Sequence, residues 1–286
     1  MTGIIIKGIG GFYYVKSADG EVVECRARGL FRKEKIKPMI GDRVMVENGS
    51  LVKIEERKNY LIRPPVANID NIVIVSAAAS PDPNFMLIDK MTVNAEMAGI
   101  KPIICINKTD LMSEDTIKKI YSSAGYPVVV VCAKNEKGIE ELMPYLKGKT
   151  TAFAGLSGVG KSSILNLITD SEMETGVVSD KIQRGKHTTR HVELLELKQG
   201  GFVLDTPGFS SLELEGIKAD ELKNYFMEIG EGDCRFKGCS HINEPGCSVK
   251  ERLENGEISA ERYKSYCELY ELLKQIKDWE QKGAKL

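Results

Sequence analysis

The sequence FAGLSGVGKSSILN, at residues 153–166, decides the fold of the central part of this chain. It contains Gly-x-x-x-x-Gly-Lys-Ser between a strand-like apolar run and a helix-like run, which is the context of a phosphate-binding loop. The glycines let backbone N–H groups surround the phosphates of a nucleotide, and the helix N-terminus adds a favourable dipole. We expect Lys161 to reach the β- and γ-phosphates and Ser162 to bind Mg²⁺. The predicted phosphate-binding residues are Gly155, Leu156, Ser157, Gly158, Val159, Gly160, Lys161, Ser162 and Ser163.

A second motif, Asn-Lys-x-Asp, lies in ICINKTDLM at residues 104–112, again after an apolar run. Asp110 can accept two hydrogen bonds from guanine, whereas adenine lacks this donor pair and would leave the carboxylate unpaired. We expect Asn107 to support the loop and Lys108 to cover the face of the base. The sequence VCAKN, at 131–135, matches the Ser-Ala-Lys element of guanine sites with cysteine in place of serine. The predicted base-binding residues are Asn107, Lys108, Thr109, Asp110, Ala133 and Lys134.

Two further stretches predict contacts to the γ-phosphate and Mg²⁺. LDTPG ends a strand-like run, and its Asp205 suits a contact to Mg²⁺, direct or through water, while the Gly208 N–H can meet the γ-phosphate. GKHTTR lies between this stretch and the phosphate loop. Either Thr188 or Thr189 can close over Mg²⁺ as a switch, and we favour Thr189. A guanine-nucleotide site is therefore predicted from four separate elements.

From residue 69 to about 212, strand-like and helix-like runs alternate. Continuous apolar strands with helices between them are typical of a mostly parallel, doubly wound α/β sheet. The strand candidates are NIVIVSAA, KPIICIN, PVVVVCA, TTAFAGL, HVELLEL and GFVLDTP. The helix candidates are NFMLIDKMTVNAEMAG, EDTIKKIYSSAG, GIEELMPYLKG and KSSILNLIT.

The motifs occur in an unusual order, because the base-reading elements precede the phosphate loop. Ligands of a doubly wound sheet bind beyond the carboxyl ends of the strands, so the site depends on which strand ends are neighbours in space. Joining the usual last helix to the phosphate-loop strand, here through YLKGKTTAF at 145–153, preserves that arrangement. The order therefore predicts a circularly permuted P-loop GTPase domain.

The N-terminal 63 residues predict a small β-barrel, such as an OB-fold. Short β-like runs flank Asp19-Gly20 and Asn48-Gly49, which are typical of hairpin turns. This region holds thirteen Lys and Arg against eight Asp and Glu. The excess of basic residues is concentrated in CRARGLFRKEKIKP at 25–38. Such a cluster indicates a nucleic-acid contact, although a solvated charged loop is an equally ordinary explanation. RPPVAN, at 63–68, predicts a linker.

Three cysteines and a histidine lie close together near the C-terminus. Their spacing is Cys234-x4-Cys239-x-His241-x5-Cys247. Three thiolates and one imidazole suit a tetrahedral, structural Zn²⁺ with no open position. Scattered buried thiols are the alternative, but they explain four such residues in so short a polar loop poorly. The remaining cysteines, interpreted as packing residues, are Cys25, Cys105, Cys132 and Cys267.

The composition bounds the class of protein. The chain has 286 residues, 42% hydrophobic and 28% charged, as in soluble globular proteins of two or three domains. No apolar run approaches the roughly 18 residues of a membrane helix, and we see no secretory signal. We therefore expect a cytoplasmic protein that does not enter a membrane, and a monomer.

These elements, in this order, resemble the ribosome small-subunit-dependent GTPase family (RsgA). The resemblance covers nearly the whole chain and is carried by GLSGVGKSS, GKHTTRHVEL, DTPGFSSLEL, CRFKGCSHINEPGC and RYKSY. It implies a GTPase that helps to complete the small (30S) ribosomal subunit and is stimulated by it. It also implies an OB-fold that contacts rRNA over 1–63, a permuted GTPase domain over 64–217, and a helical zinc-binding domain over 218–286.

The predicted chemistry is hydrolysis of GTP to GDP and phosphate. Many GTPases place glutamine after Asp-x-x-Gly to orient the attacking water, but this chain has Phe209 there. We therefore expect slow turnover without the subunit and another water-orienting group, for which His187 is the best candidate. His187 can instead support its loop or contact RNA. The predicted catalytic residues are His187, Lys161, Thr189 and Asp205.

Two other functions are compatible with parts of this pattern. A GTP-gated RNA-binding regulator without a ribosomal target would use the same basic N-terminus and zinc module. A metabolic P-loop enzyme, such as a kinase, would share the phosphate loop. The Asn-Lys-x-Asp motif and the lack of an obvious acceptor-binding segment disfavour the kinase.

Overall fold

Three structural units follow one another in the computed structural model of the chain. The structure describes residues 1–29, 31, 36–62, 64–170, 192–206, 213–214, 216–230 and 232–275. None of the helices within these ranges is long and apolar enough to span a membrane.

The first unit is a closed five-stranded barrel with the strand order β1-β2-β3-β5-β4. Its interior is apolar because alternate residues of each strand point inward, as Val44 and Val46 do. The turns predicted at Asp19-Gly20 and Asn48-Gly49 are both present, and the predicted OB-fold is confirmed. The strands are β1 (Thr2–Ile9), β2 (Phe12–Ser17), β3 (Val22–Ala27), β4 (Arg43–Glu47) and β5 (Ser50–Ile54).

A short ribbon follows the barrel, formed by β6 (Tyr60–Leu61) and β7 (Val66–Ala67). The second of these strands lies within the run predicted to be a linker. Both of its side chains are buried, and the Ala67 N–H donates to the Ile40 carbonyl at 2.8 Å. The predicted linker is therefore not a plain connection, because Val66 belongs to the same apolar core as Ile69 and Ile72, and β7 pairs with β6.

The second unit contains a six-stranded sheet with the order β10-β9-β8-β11-β13-β12. Every neighbouring pair is parallel except β12 and β13, so the predicted mostly parallel sheet is confirmed. Several strands are shorter than their predicted runs, most clearly those at 127–133 and 191–197. The strands are β8 (Asn71–Ala77), β9 (Lys101–Asn107), β10 (Val128–Val130), β11 (Thr150–Ala154), β12 (Leu195–Glu196) and β13 (Phe202–Asp205).

Helices cover both faces of this sheet. Ile72 and Ile74 of β8 belong to the core shared with the first two helices, whereas Val73 and Val75 belong to the core shared with the next two. The sheet is therefore doubly wound, with the central strands β8, β9 and β11 buried on both faces. The four helices are α1 (Phe85–Met97), α2 (Asp115–Ser123), α3 (Ile139–Leu146) and α4 (Lys161–Ile168), each at its predicted place.

The third unit is helical, as predicted. It contains a 3₁₀ helix at Ala219–Tyr225, then α5 (Ser248–Glu254) and α6 (Ala260–Gln275). Its core includes an edge-to-face pair in which the ring centroids of Phe226 and Tyr266 are 5.4 Å apart. Helix α6 also packs against α1, so this unit rests directly on the second one.

Candidate functional site

The buried side chain of Asn107, at the end of β9, joins three of the predicted nucleotide-binding elements. Its Nδ2 donates to the Val159 carbonyl of the phosphate loop at 2.9 Å, and its Oδ1 accepts from the Ala133 N–H at 3.0 Å. The base-reading loop, the Ala-Lys element and the phosphate loop therefore meet at one edge of the sheet. This is the crevice beyond the strand ends that the permuted order predicts.

The phosphate loop runs from the end of β11 to the start of α4, and at two of its glycines there is no room for a side chain. Gly155 has φ +139° and Gly160 has φ +95°, which side chains rarely allow. A Cβ on Gly155 would lie 2.2 Å from the Val75 carbonyl oxygen, and one on Gly160 would lie 2.2 Å from Asn107 Nδ2. The two glycines thus let the loop lie directly against β8 and the base-reading loop.

Lys161 begins α4 and folds back over the phosphate loop. Its ammonium group donates to the carbonyl oxygens of Gly155 at 3.0 Å and Leu156 at 2.9 Å. Ser162 and Ser163 follow in the first turn of the same helix, where N–H groups are not bonded within the helix. The arrangement places one cation, a hydroxyl and a helix N-terminus together. These are the groups that bind the phosphates of a nucleotide and its Mg²⁺.

A pocket of about 540 Å³ lies beside the phosphate loop. Asp110 lies in it with both carboxylate oxygens held: Oδ1 accepts from the Cys132 thiol at 3.5 Å, and Oδ2 from Lys134 Nζ at 3.3 Å. Desolvation favours the neutral carboxyl, but the hydrogen bonds from Lys134 and Cys132 outweigh it and lower the pKa of Asp110. The group is thus an ionised acceptor suited to the donor pair of guanine. The pocket is lined by Asn107, Lys108, Asp110, Leu111, Ala133, Lys134, Gly160, Ser163, Asn166 and Leu167.

The other two residues of the tetrapeptide shape the loop. Lys108 has φ +62°, and its ammonium group donates to the Ser80 carbonyl, so its stem lies along the pocket wall. The Thr109 hydroxyl donates to the Val131 carbonyl at 3.4 Å and ties the loop to the end of β10.

Asp205 ends β13 at the same edge of the sheet. It lies opposite Phe153 in the parallel register of β11 and β13, two residues before Gly155 begins the phosphate loop. Its position fits the predicted contact to Mg²⁺. The other residues predicted to act at the γ-phosphate lie outside the described residues, so their roles stay predictions. They are His187, Thr188, Thr189 and Gly208, together with Phe209.

The four predicted zinc ligands come together in the third unit. The candidate ligand atoms of Cys234, Cys239, His241 and Cys247 all lie within 4.8 Å of one another. The sulfur atoms of Cys234 and Cys247 are 3.9 Å apart, close to the edge of about 3.8 Å expected for a tetrahedron with Zn–S bonds of about 2.3 Å. His241 Nδ1 lies 3.5 Å and 3.4 Å from those two sulfur atoms. The donor set and its spacing therefore fit one Zn²⁺.

The surroundings of His241 orient the imidazole for metal binding. Its Nε2 lies 3.1 Å from the Gly230 carbonyl, so the proton belongs on Nε2 and Nδ1 faces the thiolates. Burial lowers the pKa of His241, which favours the neutral ring that a metal needs. The site is closed by four protein ligands, which makes it structural.

The spacing of the cysteines and the histidine did not identify two further residues that support the loop of zinc ligands. The hydroxyls of Tyr263 and Tyr266, on α6, donate to the carbonyls of His241 and Ser240, each at 2.7 Å. The two tyrosines are three residues apart within RYKSY and therefore share one helix face. This spacing is the feature of the sequence from which their common role could have been predicted. They connect the metal loop to the helix that packs on the second unit.

The basic segment at 25–38 is partly described. The guanidinium of Arg26 lies 4.3 Å from the centroid of the Phe12 ring on the exposed side of the barrel. Phe31, in contrast, is only 5% exposed and belongs to the barrel core. Contact between this segment and RNA stays a prediction.

Comparison with known proteins agrees with this geometry. Residues 54–215 match the family model of the RsgA GTPase, and residues 2–51 match that of the RsgA N-terminal domain. A protein of Ruminiclostridium cellulolyticum named small ribosomal subunit biogenesis GTPase RsgA is 50% identical, with 99% of this chain and 96% of that protein covered.

Two solved structures are also similar. YjeQ from Thermotoga maritima has 39% identity and a TM-score of 0.84, with 96% of this chain and 99% of that chain covered. YloQ, described as a circularly permuted GTPase, has 42% identity and a TM-score of 0.81, with 96% of each chain covered. The permuted fold predicted from motif order is therefore confirmed.

Proposed function

The chain belongs to the RsgA GTPase family, and we propose that its hydrolysis of GTP serves the biogenesis of the small ribosomal subunit. The observation that carries the proposal is the 50% identity, over almost the whole of both chains, to a relative named for that function. The described nucleotide site supports it, because Asn107 joins the guanine reader to the phosphate loop. Membership of this GTPase family gives no support to the alternative function of a metabolic kinase.

We assign the following roles in the reaction. Asp110 selects guanine, and the Lys161 ammonium moves from the loop carbonyls to the β- and γ-phosphate oxygens. Ser162, Asp205 and Thr189 or Thr188 would hold the Mg²⁺ that accompanies the nucleotide, and that ion would neutralise phosphate charge. The remaining nucleotide contacts come from the phosphate-loop backbone, the Gly208 N–H and the base-pocket residues.

The attacking water needs a group to orient it. Phe209 cannot form a hydrogen bond with water, so the residue that follows Asp-x-x-Gly in this chain does not do so. We assign this role to His187, beside the switch threonines. An imidazole held in place by the ribosomal subunit would make hydrolysis slow in the free protein and faster on the subunit.

We also propose how the rest of the molecule contributes. The barrel binds rRNA through the basic segment at 25–38, and the zinc-bearing unit forms a second contact with the subunit. The domain limits are 1–63, 64–217 and 218–286. The protein acts as a monomer in the cytoplasm and away from membranes, and sedimentation of the pure protein would test the monomer.

The test is phosphate release from GTP by the pure protein alone, with small ribosomal subunits, and with large subunits as a control. We expect a large rise with small subunits only, and its loss in His187→Ala under the same conditions. Equal rates in all three mixtures would overturn the proposal and leave a GTP-binding regulator of other RNA. A rise that persists in His187→Ala would overturn only the role of His187.

A further inference from the structure

A second cavity, of about 550 Å³, lies at the edge of the central sheet that faces away from the nucleotide site. Strands β8 and β9 begin at this cavity, with Asn71 and Lys101, whereas the nucleotide-binding elements follow the carboxyl ends of the strands. Because β9 is seven residues long, the two sites are about 20 Å apart. The cavity is therefore separate from the GTPase site, and its size is that of pockets that bind small molecules.

Most of the wall of this cavity is apolar. Ile100, Ile103 and the ring of Tyr126 contribute buried surface to it. Tyr145 of α3 and Met227 also line it, yet they are 37% and 57% exposed to solvent. An aromatic ring and a flexible thioether both pack well against a flat apolar group. An apolar ligand would therefore remove exposed hydrophobic surface from water here.

The cavity lies where the second and third units meet. Met227 follows the 3₁₀ helix of the third unit, whereas Gly125 follows α2 of the second. The two residues are neighbours, because a Cβ on Gly125 would lie 3.4 Å from Met227 Cε. A ligand in the cavity would therefore touch both units.

One carboxylate in the cavity lacks a partner. Glu96, in the last turn of α1, is half-buried, and within the described part of the chain its side chain forms neither a hydrogen bond nor an ion pair. Burial raises the pKa of Glu96, and the attraction of the more distant Arg262 offsets this only in part. A carboxylate withdrawn from water without a partner is costly, so a cation placed against it would be stabilised.

Two lysines line the same cavity without neutralising this carboxylate. Lys101 and Lys149 are exposed, and neither forms an ion pair with Glu96. Their ammonium groups stay in water, where salt and solvent screen their repulsion of a bound cation. The half-buried carboxylate of Glu96 therefore decides which charge the interior of the cavity prefers.

We propose that this cavity is a binding site for a small molecule that carries a flat apolar body and a protonated amine. The apolar body packs among Tyr126, Tyr145 and Met227, and the ammonium group donates to the Glu96 carboxylate. The site is distinct from the nucleotide-binding machinery and does not depend on the function proposed above.

The test is titration calorimetry of the full-length protein with three indole probes that differ in one group. Tryptamine carries an ammonium group, tryptophol a hydroxyl and indole-3-propionate a carboxylate. Saturating GDP and Mg²⁺ keep the probes out of the guanine pocket, where Asp110 could also attract an amine. We expect tryptamine to bind in the high micromolar to millimolar range, as suits so small a ligand. Tryptophol should bind about fivefold to tenfold more weakly, because it lacks the charge-assisted hydrogen bond, and indole-3-propionate more weakly still.

Two variants separate the charge from the apolar wall. Glu96→Gln removes the charge with little change in size and should make tryptamine and tryptophol bind equally. Met227→Ala should weaken all three probes alike, by about threefold, because it removes part of the wall. The matched control is Glu140→Gln, an exposed position on α3 outside the cavity, which should change none of these affinities.

Three results would overturn the proposal. The first is no binding of any probe at millimolar concentration. The second is a preference for tryptamine that persists in Glu96→Gln. The third is a preference for indole-3-propionate, which would show that Lys101 and Lys149, rather than Glu96, decide the charge of the ligand.

Discussion

Arg262 Nη1 lies 2.6 Å from Asp89 Oδ1, and neither side chain is exposed to solvent. Arg262 belongs to α6 of the zinc-bearing unit, whereas Asp89 belongs to α1 beside the central sheet. The guanidinium also binds both oxygens of Glu228, at 2.6 Å and 3.0 Å, and lies 4.4 Å from the centroid of the Phe226 ring. A buried cation that is hydrogen-bonded to two carboxylates therefore joins the third unit to the second.

Replacing this cation should strongly destabilise the protein. In Arg262→Met, two buried carboxylates lose their partner, and we expect the free energy of unfolding to fall by about 3–5 kcal/mol. Denaturant unfolding would measure the change. The control is Lys264→Met on the exposed side of the same helix, which should alter stability by less than about 0.5 kcal/mol. Equal effects of the two changes would contradict this account.

Asn107→Ala should weaken the nucleotide site as a whole. The change leaves the Val159 carbonyl and the Ala133 N–H without their partner, at a cost of about 1–3 kcal/mol each. We expect affinities for GTP and GDP to fall together, with little change in their ratio, as measured by fluorescence titration. Asn94→Ala, which removes a side-chain hydrogen bond to the Lys90 carbonyl on α1, is the control. Unchanged affinities in Asn107→Ala would show that the three loops do not depend on this link.

Asp110→Asn should change the base that the pocket selects. The loss of a charged acceptor facing two guanine donors should lower GDP affinity by roughly 100-fold. Xanthine carries a carbonyl where guanine carries an amine, so the new amide should bind xanthosine diphosphate more tightly than the wild type does. Competition binding would measure both effects, with Asp19→Asn in the barrel as the control. If the variant still preferred GDP, a residue other than Asp110 would be the one that recognises guanine.

Cys247→Ser should remove the metal. Elemental analysis should find about one zinc per chain in the wild type and a much lower content in this variant, because a hydroxyl is a poor ligand for Zn²⁺. Metal binding contributes directly to the stability of such loops, so unfolding should occur at a lower temperature. Cys267→Ser, on α6 and outside the ligand group, should keep its zinc. Full zinc content in both variants would argue against this ligand set.

The contribution of Asp70 should depend on pH. Burial favours its neutral form, but hydrogen bonds from Lys58 Nζ at 2.8 Å and the Thr150 N–H at 2.9 Å prevail and lower the pKa of Asp70. A lowered pKa in the folded state means that the stabilisation is complete above the unfolded pKa of about 3.9 and is lost as the pH falls through the folded value.

Asp70→Asn should therefore cost about 1 kcal/mol at pH 6, after allowance for solvent screening, and progressively less below about pH 4. Denaturant unfolding of both proteins from pH 3 to pH 7 would measure the difference. The exposed Asp220→Asn should show no such trend. A constant difference across this range would indicate that the charge of Asp70 does not contribute.

Several features were accessible from sequence because their chemistry lies in contiguous residues. The phosphate loop needs glycine at 155 and 160 and a lysine directly after, and short spacing alone brings the four zinc ligands within reach of one ion. The strands and helices could be predicted equally well, because strands that are buried on both faces of the sheet appear in the sequence as continuous apolar runs. The ribbon strand Val66–Ala67 was missed because two residues carry no period, and only pairing with Tyr60–Leu61 makes them a strand.

By itself, the sequence determined the parts of this protein: the ligands of each site, the order of the motifs and hence the permuted fold. The tertiary structure alone decided how those parts are joined. It placed Asn107 between three loops, set Glu193 against Lys7 of the barrel, and paired Arg262 with Asp89 across 173 residues. The reason is physical: a motif is defined by neighbours along the chain, whereas these contacts arise only when distant segments pack and exclude water.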